Sequence, residues 1–147
     1  MSHQTATAND ESFETPRFPL GEKLGIRVEE VSPDRTVASL PVESNTQPAG
    51  ILHGGATAAL IETAASVAAQ AHADARTAGQ SAAVGTEISV SHIRAARSGR
   101  VTAVATARHL GRTSTVHEVE VTDDQGRLTA TGRVTNRLIG TEASAPH

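Results

Sequence analysis

The sequence predicts an α+β domain in which an antiparallel sheet curves around one long central helix. Three observations predict it. Two short alternating segments precede a long Ala-rich run with helical spacing, four alternating segments follow that run, and the last four are joined by short turns. A chain of 147 residues holds one domain of this kind and not two. The polar ends, residues 1–19 and 140–147, are expected to be flexible tails around a domain over residues 20–139.

Gly25 to Val31 (G-I-R-V-E-E-V) alternates as a short strand, and S-P-D-R places Pro33 where a turn favours it. Thr36 to Val42 supplies a second strand, so the two read as a hairpin. Glu43 to Gly50 is a loop punctuated by Pro48 and Gly50. From about Gly54 the period becomes helical, with Leu60, Ala64, Val67 and Ala71 at i, i+4, i+7 and i+11. The stretch Asp74 to Gln80, which contains Gly79, ends that helix. Val84, Ile88 and Val90 then share one face of a strand running towards Arg94. S-G-R turns the chain into Val101 to Leu110. Thr113 to Thr122 sets Val119 and Val121 against Glu118 and Glu120, and D-D-Q-G-R leads into Leu128 to Leu138.

Composition narrows the function. Only 37% of the residues are apolar, with two Phe and no Trp or Tyr, so the core is thin and further burial at a subunit interface is expected. A net charge of −3 and a pI near 6.1 argue against a nucleic-acid partner. The absence of Cys removes disulfides, thiolate nucleophiles and Cys-ligated zinc. No apolar run matches a membrane span, and the polar start M-S-H-Q-T-A-T lacks the apolar region of a secretory signal. A soluble, cytoplasmic protein with no membrane partner is the expectation.

The chemistry concentrates between Gln47 and Gln70. Gly54-Gly55 opens the helix, where the first N–H groups have no internal partner and can face a phosphate or a developing oxyanion. The same pair also suits a tight loop-to-helix turn that needs no ligand. Glu62 is the sole carboxylate from Ser44 to Ala73, among Ala58, Ala65, Ser66 and Ala69, and reads as a catalytic acid or as a buried carboxylate satisfied by the backbone. It lies eight residues beyond Gly54, about 12 Å along a helix axis. One small reacting group cannot meet both on a single helix. If they cooperate, they come from two subunits. His53 suits a carbonyl contact or a loop hydrogen bond. His92 and Arg94 fall on one face of a strand end, where the arginine suits a phosphate or solvent. H-L-G-R-T-S-T (His109 to Thr115) joins two strands and offers Arg112 and hydroxyls in a phosphate-compatible turn. No G-x-S-x-G, H-E-x-x-H, G-x-G-x-x-G or P-loop occurs, and no metal site is expected.

H-G-G-A-x-x-A-L-x-E, preceded by Q-P-x-G, resembles the hotdog-fold acyl-CoA thioesterases of the phenylacetate-type superfamily. It is most similar to the Glu-type branch that includes the 1,4-dihydroxy-2-naphthoyl-CoA and 4-hydroxybenzoyl-CoA thioesterases. V-G-T-E-I (84–88), S-H-I-R-A-A-R-S-G (91–99), H-L-G-R (109–112) and D-D-Q-G-R-L (123–128) extend the resemblance from Leu24 to Leu138. It implies a hotdog fold and a homotetramer built from dimers, with active sites at the dimer interface and an aromatic or similar acyl-CoA as substrate. Glu62 would be the general base or nucleophile and the Gly54 amide the oxyanion donor. Gln47 and His53 would position the carbonyl and the water, and Ser66 would help hold the water or the acid. Coenzyme A, as part of the substrate, would lie along Gly85, His92, Arg94 and the turn His109, Gly111, Arg112, Thr113 and Ser114; no cofactor is required. Ala49 stands where relatives often carry an aromatic residue, and Ser89-Val90-Ser91 replaces an Asn-rich segment, so acyl specificity is left open. Two other readings use the same fold: an enoyl-CoA hydratase or dehydratase, whose Asp–His motif is not found here, and a non-catalytic acyl-CoA-binding protein.

Overall fold

A computed structural model of the protein describes residues 18–140. Of the expected tails, all but Phe18, Pro19 and Gly140 lie outside the described residues. The first element is a helix that the sequence reading lacks: α1, Pro19–Leu24. Its six residues are too few to show a period, yet its ends carry ordinary signals. Proline opens it, and Gly25 closes it at φ 76°, donating to the Glu22 carbonyl.

The hairpin follows as β1, Arg27–Glu30, and β2, Arg35–Pro41. Helix α2 spans Gly54–Thr77, and Ala78 ends it in the left-handed region at φ 51°. Four strands complete the chain: β3, Ser81–His92; β4, Arg100–Leu110; β5, Ser114–Thr122; and β6, Leu128–Gly140. All pairings are antiparallel, in the order β1-β2-β4-β5-β6-β3. The strand that follows the long helix therefore becomes an edge, lying beside the last strand.

The sheet curves around α2, which touches β2, β3, β4, β5 and β6. Leu40, Val42, Leu60, Ile61, Val101, Val119, Val121 and Val134 are essentially solvent-free, and most other buried core residues are alanines. Small side chains on α2 let helix and sheet approach closely. A Cβ at Gly132 of β6 would stand 2.8 Å from the Ile61 side chain. Truncating Leu60 in such a core would cost about 2–5 kcal/mol. The alternation expected of β5 is observed: Thr115, His117, Val119 and Val121 face inwards, Glu118 and Glu120 outwards.

One expectation is corrected. Val84 does not share a face with Ile88 and Val90. Gly85 pairs with Asn136 and Glu87 with Thr135, leaving Thr86 as an extra residue that switches the pleat. The bulge puts Gly85, Ile88 and Val90 on the helix side, opposite Asn136, Val134 and Gly132, and turns Val84 outwards opposite Arg137. A simple two-residue period cannot register one inserted residue.

Candidate active site

The start of α2 is assembled from a closed loop. Thr46 bridges Leu52, the Gln47 N–H donates to Ile51 O at 2.9 Å, and Gly50 N–H donates back to Gln47 O. The Gln47 side-chain oxygen accepts the Ala49 N–H at 2.8 Å, which fixes the amide's orientation. Its Nε2 hydrogens are then the part left for another group. His53 is the N-cap: its Nδ1 accepts the Gly55 N–H at 2.8 Å, while its carbonyl takes the N–H groups of Ala56 and Thr57. Because Nδ1 is an acceptor, a neutral His53 carries its proton on Nε2 and presents a donor from an exposed ring. Of the first four helical N–H groups, Gly54's has no protein partner among the described residues. It is a donor at the positive end of a 24-residue helix.

Gln47 and Gly54 open onto a cleft of about 270 Å³ that Thr57, His92, Arg94 and Thr129 also line. The His92 ring lies so close that a Cβ at Gly54 would be 2.9 Å from its Nε2. Glycine is thus needed at 54 for the ring and the helix end to meet. Arg94 also borders a second cleft of about 420 Å³ with Arg97, Asp124 and Arg127. There Arg127 is occupied by Asp123 at 2.8 Å.

Glu62 lies elsewhere. It is exposed in the single chain, so the expected apolar surround is corrected: Ala65 and Ala69 are buried, Ala58 half-buried, and the carboxylate emerges beside β3. There it rests on the backbone of Gly85, whose added Cβ would meet Glu62 Oε1 at 2.5 Å. Ser66, one turn later, points inwards and donates its hydroxyl hydrogen to Asn136 Oδ1 at 3.0 Å. Gly85 is paired with Asn136, and Asn136 with Thr115, so one row across β3, β6 and β5 underlies the Glu62–Ser66 turn.

The predicted residues therefore form two groups in one chain. Gln47, Gly54, His92 and Arg94 meet at one cleft, with His53 capping the same helix end. Glu62, Ser66 and Gly85 meet at the other, about 12 Å along the helix from Gly54. Gly85, expected along coenzyme A, sits directly under the carboxylate. The turn from His109 to Ser114 joins neither group within the chain. His72 donates from Nε2 to the Gly111 carbonyl at 2.7 Å, which ties the turn to the helix about 27 Å beyond Gly54.

Two residues of this region were not singled out from the sequence, Asn136 and His117. Both sit at inward strand positions, in phase with Val119 and Val134, but neither belongs to a motif that would single it out. His117 is fully buried and donates from Nε2 to Pro33 O at 2.8 Å, and its Nδ1 has no partner among the described residues. Burial, reinforced by nearby His72, lowers its pKa below the ordinary histidine value, against the Pro33 hydrogen bond and Asp34, which raise it.

No described helix is long and apolar enough to cross a membrane. Residues 49–130 match the sequence profile of the thioesterase superfamily. The chain is 41% identical over 117 residues to the 1,4-dihydroxy-2-naphthoyl-CoA hydrolase of Escherichia coli, covering 79% of this chain and 83% of that one. It is 43% identical over 122 residues to the proofreading thioesterase EntH of Cronobacter turicensis, covering 82% and 86%. Among solved structures, a thioesterase from Haemophilus influenzae superposes with a TM-score of 0.78 at 33% identity, over 86% of this chain and 87% of that one. The motif from Gln47 to Glu62, the sheet wrapped around α2 and these relatives agree: the chain belongs to the thioesterase superfamily and is a thioester hydrolase of the hotdog fold.

Proposed function

We propose that the protein hydrolyses an aromatic acyl-CoA to the free acid and CoA in sites shared by two subunits, with Glu62 as general base. The observation that carries this reading is the separation of the two groups. The Gly54 N–H and the free Gln47 Nε2 hydrogens converge on one cleft, while the Glu62 carboxylate stands about 12 Å away on the same rigid helix. A thioester needs both, so each chain gives half of each site. The β3 edge supports the pairing. It is 12 residues long, no described strand lies along its outer side, where Gln70 meets only Ser81 and Ala83 at its start, and Val84 and Ile88 on it remain 46% and 39% exposed. Such an edge is a template for a second copy of itself. Assembly of these dimers into a homotetramer is part of the same reading, as is a cytoplasmic location.

In the reaction, Glu62 takes a proton from a water whose oxygen attacks the thioester carbon. The carbonyl oxygen becomes an oxyanion held by the Gly54 N–H and the Gln47 amide of the partner chain, where one such donor is worth about 10²–10³ in rate. Collapse re-forms the carbonyl and breaks the C–S bond, and the thiolate takes the proton back from Glu62. The His53 Nε2–H orients the carbonyl or the water. Arg94, at the junction of the two clefts, suits the pyrophosphate of coenzyme A, and the turn from His109 to Ser114 would come from the other chain. No metal or cofactor enters these steps. The aromatic preference rests on the relative named for a naphthoyl-CoA substrate.

The test is thiol release from benzoyl-, hexanoyl- and acetyl-CoA by the parent and Glu62→Gln. Benzoyl-CoA is expected to be the fastest, with Glu62→Gln at least about 100-fold slower and unchanged in assembly. Parent-like turnover by Glu62→Gln removes Glu62 from the mechanism, and hydration of crotonyl-CoA without thiol release replaces hydrolysis altogether. Single turnover in oxygen-18 water should label the product acid and leave the Glu62 peptide unlabelled. Label in that peptide would mean a covalent anhydride instead.

A further inference from the structure

Asn136 occupies a position that packing alone would give to an aliphatic residue. It is fully buried on β6 and faces α2, on an inner face built mainly of Val and Ala, with Thr115 and His117 as its other buried polar residues nearby. Its Oδ1 accepts the Ser66 hydroxyl at 3.0 Å, yet among the described residues its Nδ2 has no partner, and neither has Oγ1 of Thr115 directly opposite on β5. A buried amide satisfied on one side only is a poor contributor to stability. What it does accomplish is local: it holds the one hydrogen of Ser66.

We infer that Asn136 is a positioning residue for hydrolysis, acting through Ser66 to orient the attacking water. This rests on the reading of Glu62 as general base. A serine hydroxyl has one hydrogen and two lone pairs. With the hydrogen committed to Asn136, Ser66 offers only lone pairs towards the Glu62 side. Glu62 is four residues earlier on the same helical face, and as a carboxylate it too only accepts. A water between them donates one hydrogen to each. Both of its lone pairs are then free of hydrogen bonding, and one points towards a carbonyl carbon. Removing the Asn136 acceptor releases the Ser66 hydrogen to turn to Glu62. The base is then occupied by a donor, and the water loses an acceptor.

The geometry of Gly85 fits this assignment. It pairs with Asn136 across β3 and β6 and seats the Glu62 carboxylate, so the two strands place base and rotor at one level under the helix. Asn136 touches neither substrate nor reacting atoms, and its effect should disappear when Ser66 carries no hydroxyl.

A double-mutant cycle on the fastest substrate of the panel tests this. Asn136→Thr suits the site because threonine fits a strand and can face Thr115, while its hydroxyl is too short to reach Ser66. It should lower kcat about tenfold with KM within about twofold. In a Ser66→Ala background, itself slowed about tenfold, the same replacement should change kcat less than twofold. Asn136→Leu, apolar and of similar size, repeats the cycle should the threonine variant not fold. Equal losses in the two backgrounds would make Asn136 a purely structural residue, and an unchanged kcat in the singly substituted protein would mean that the amide donates to Ser66 instead. Either overturns the inference. The two readings separate cleanly: a fully active Glu62→Gln sinks the base, whereas an additive cycle with an inactive Glu62→Gln sinks Asn136 alone.

Discussion

Gly85→Ala is a one-methyl perturbation aimed at the proposed base. The added Cβ would stand 2.5 Å from Glu62 Oε1 and 3.4 Å from its Cδ. Restoring an ordinary contact of about 3.4 Å to the oxygen requires it to move by about 0.9 Å, and a displacement near 1 Å in a reacting group costs on the order of 100-fold in rate. The fold should barely respond. Gly85 has no positive φ, and the obstructing atom is the far end of an exposed, flexible side chain. Alanine in a strand is also tolerated at least as well as glycine. The expected result is therefore a kcat about 100-fold lower by thiol release, with a melting temperature within about 3 °C of the parent by scanning calorimetry. Comparable losses of Tm and rate would show that the methyl disrupts the β3 bulge. Full activity with an intact fold would refute the reasoning outright, since the carboxylate's seat on Gly85 would then be irrelevant to turnover.

Two further predictions follow from side chains already placed. Arg94→Ala should raise KM for the CoA ester about tenfold while leaving kcat within about twofold, since the loss of one charge-assisted contact is worth about 1.4 kcal/mol. A fall in kcat alone would move Arg94 from binding to chemistry. Stability should fall on acidification through His117. Its folded pKa is lowered by burial, so between that value and about 6.5 the unfolded chain binds the extra proton, and stability rises with pH across this window. The contribution is complete above about pH 6.5 and lost as pH falls through the folded value. Urea unfolding at pH 7.5 and 5 should show the difference, and His117→Gln should reduce it while keeping a donor for Pro33. An undiminished pH dependence in that variant would assign the effect to other groups.

The sequence carries the sheet and the helix because their periods differ and their turns are short. Val119 and Val121 against Glu118 and Glu120 mark β5 plainly, and the α2 stripe marks the helix. The site was legible where chemistry is unusual for its place: a lone acid in an alanine run, and two glycines at a helix start. The roughly 12 Å between them meant that, if they cooperate, they come from two chains. What was hidden depends on register. The Thr86 bulge decides that Gly85 faces Glu62 and Val84 faces away, and no local pattern encodes an inserted residue. Asn136 and His117 are in phase with Val134 and Val119, but only the pairing and the helix above show which groups they meet inside.

That hidden row also explains why the core can be so poor in large side chains. Ala65, Ala68, Ala69 and Ala73 are solvent-free on α2, and in their neighbourhood the inner face carries Thr115, His117 and Asn136 in place of aliphatic residues. Aliphatic side chains at those strand positions would remove three unpartnered polar atoms and bury more apolar surface. They would also strip Ser66 of its acceptor and leave the Glu62 turn on a featureless layer. Polar groups of the inner face lie near Ser66 and His72, beyond the candidate base along α2, while aliphatic packing dominates around Leu60 and Ile61. A core that gives up packing on the side of its candidate base suits positioning there and stability elsewhere.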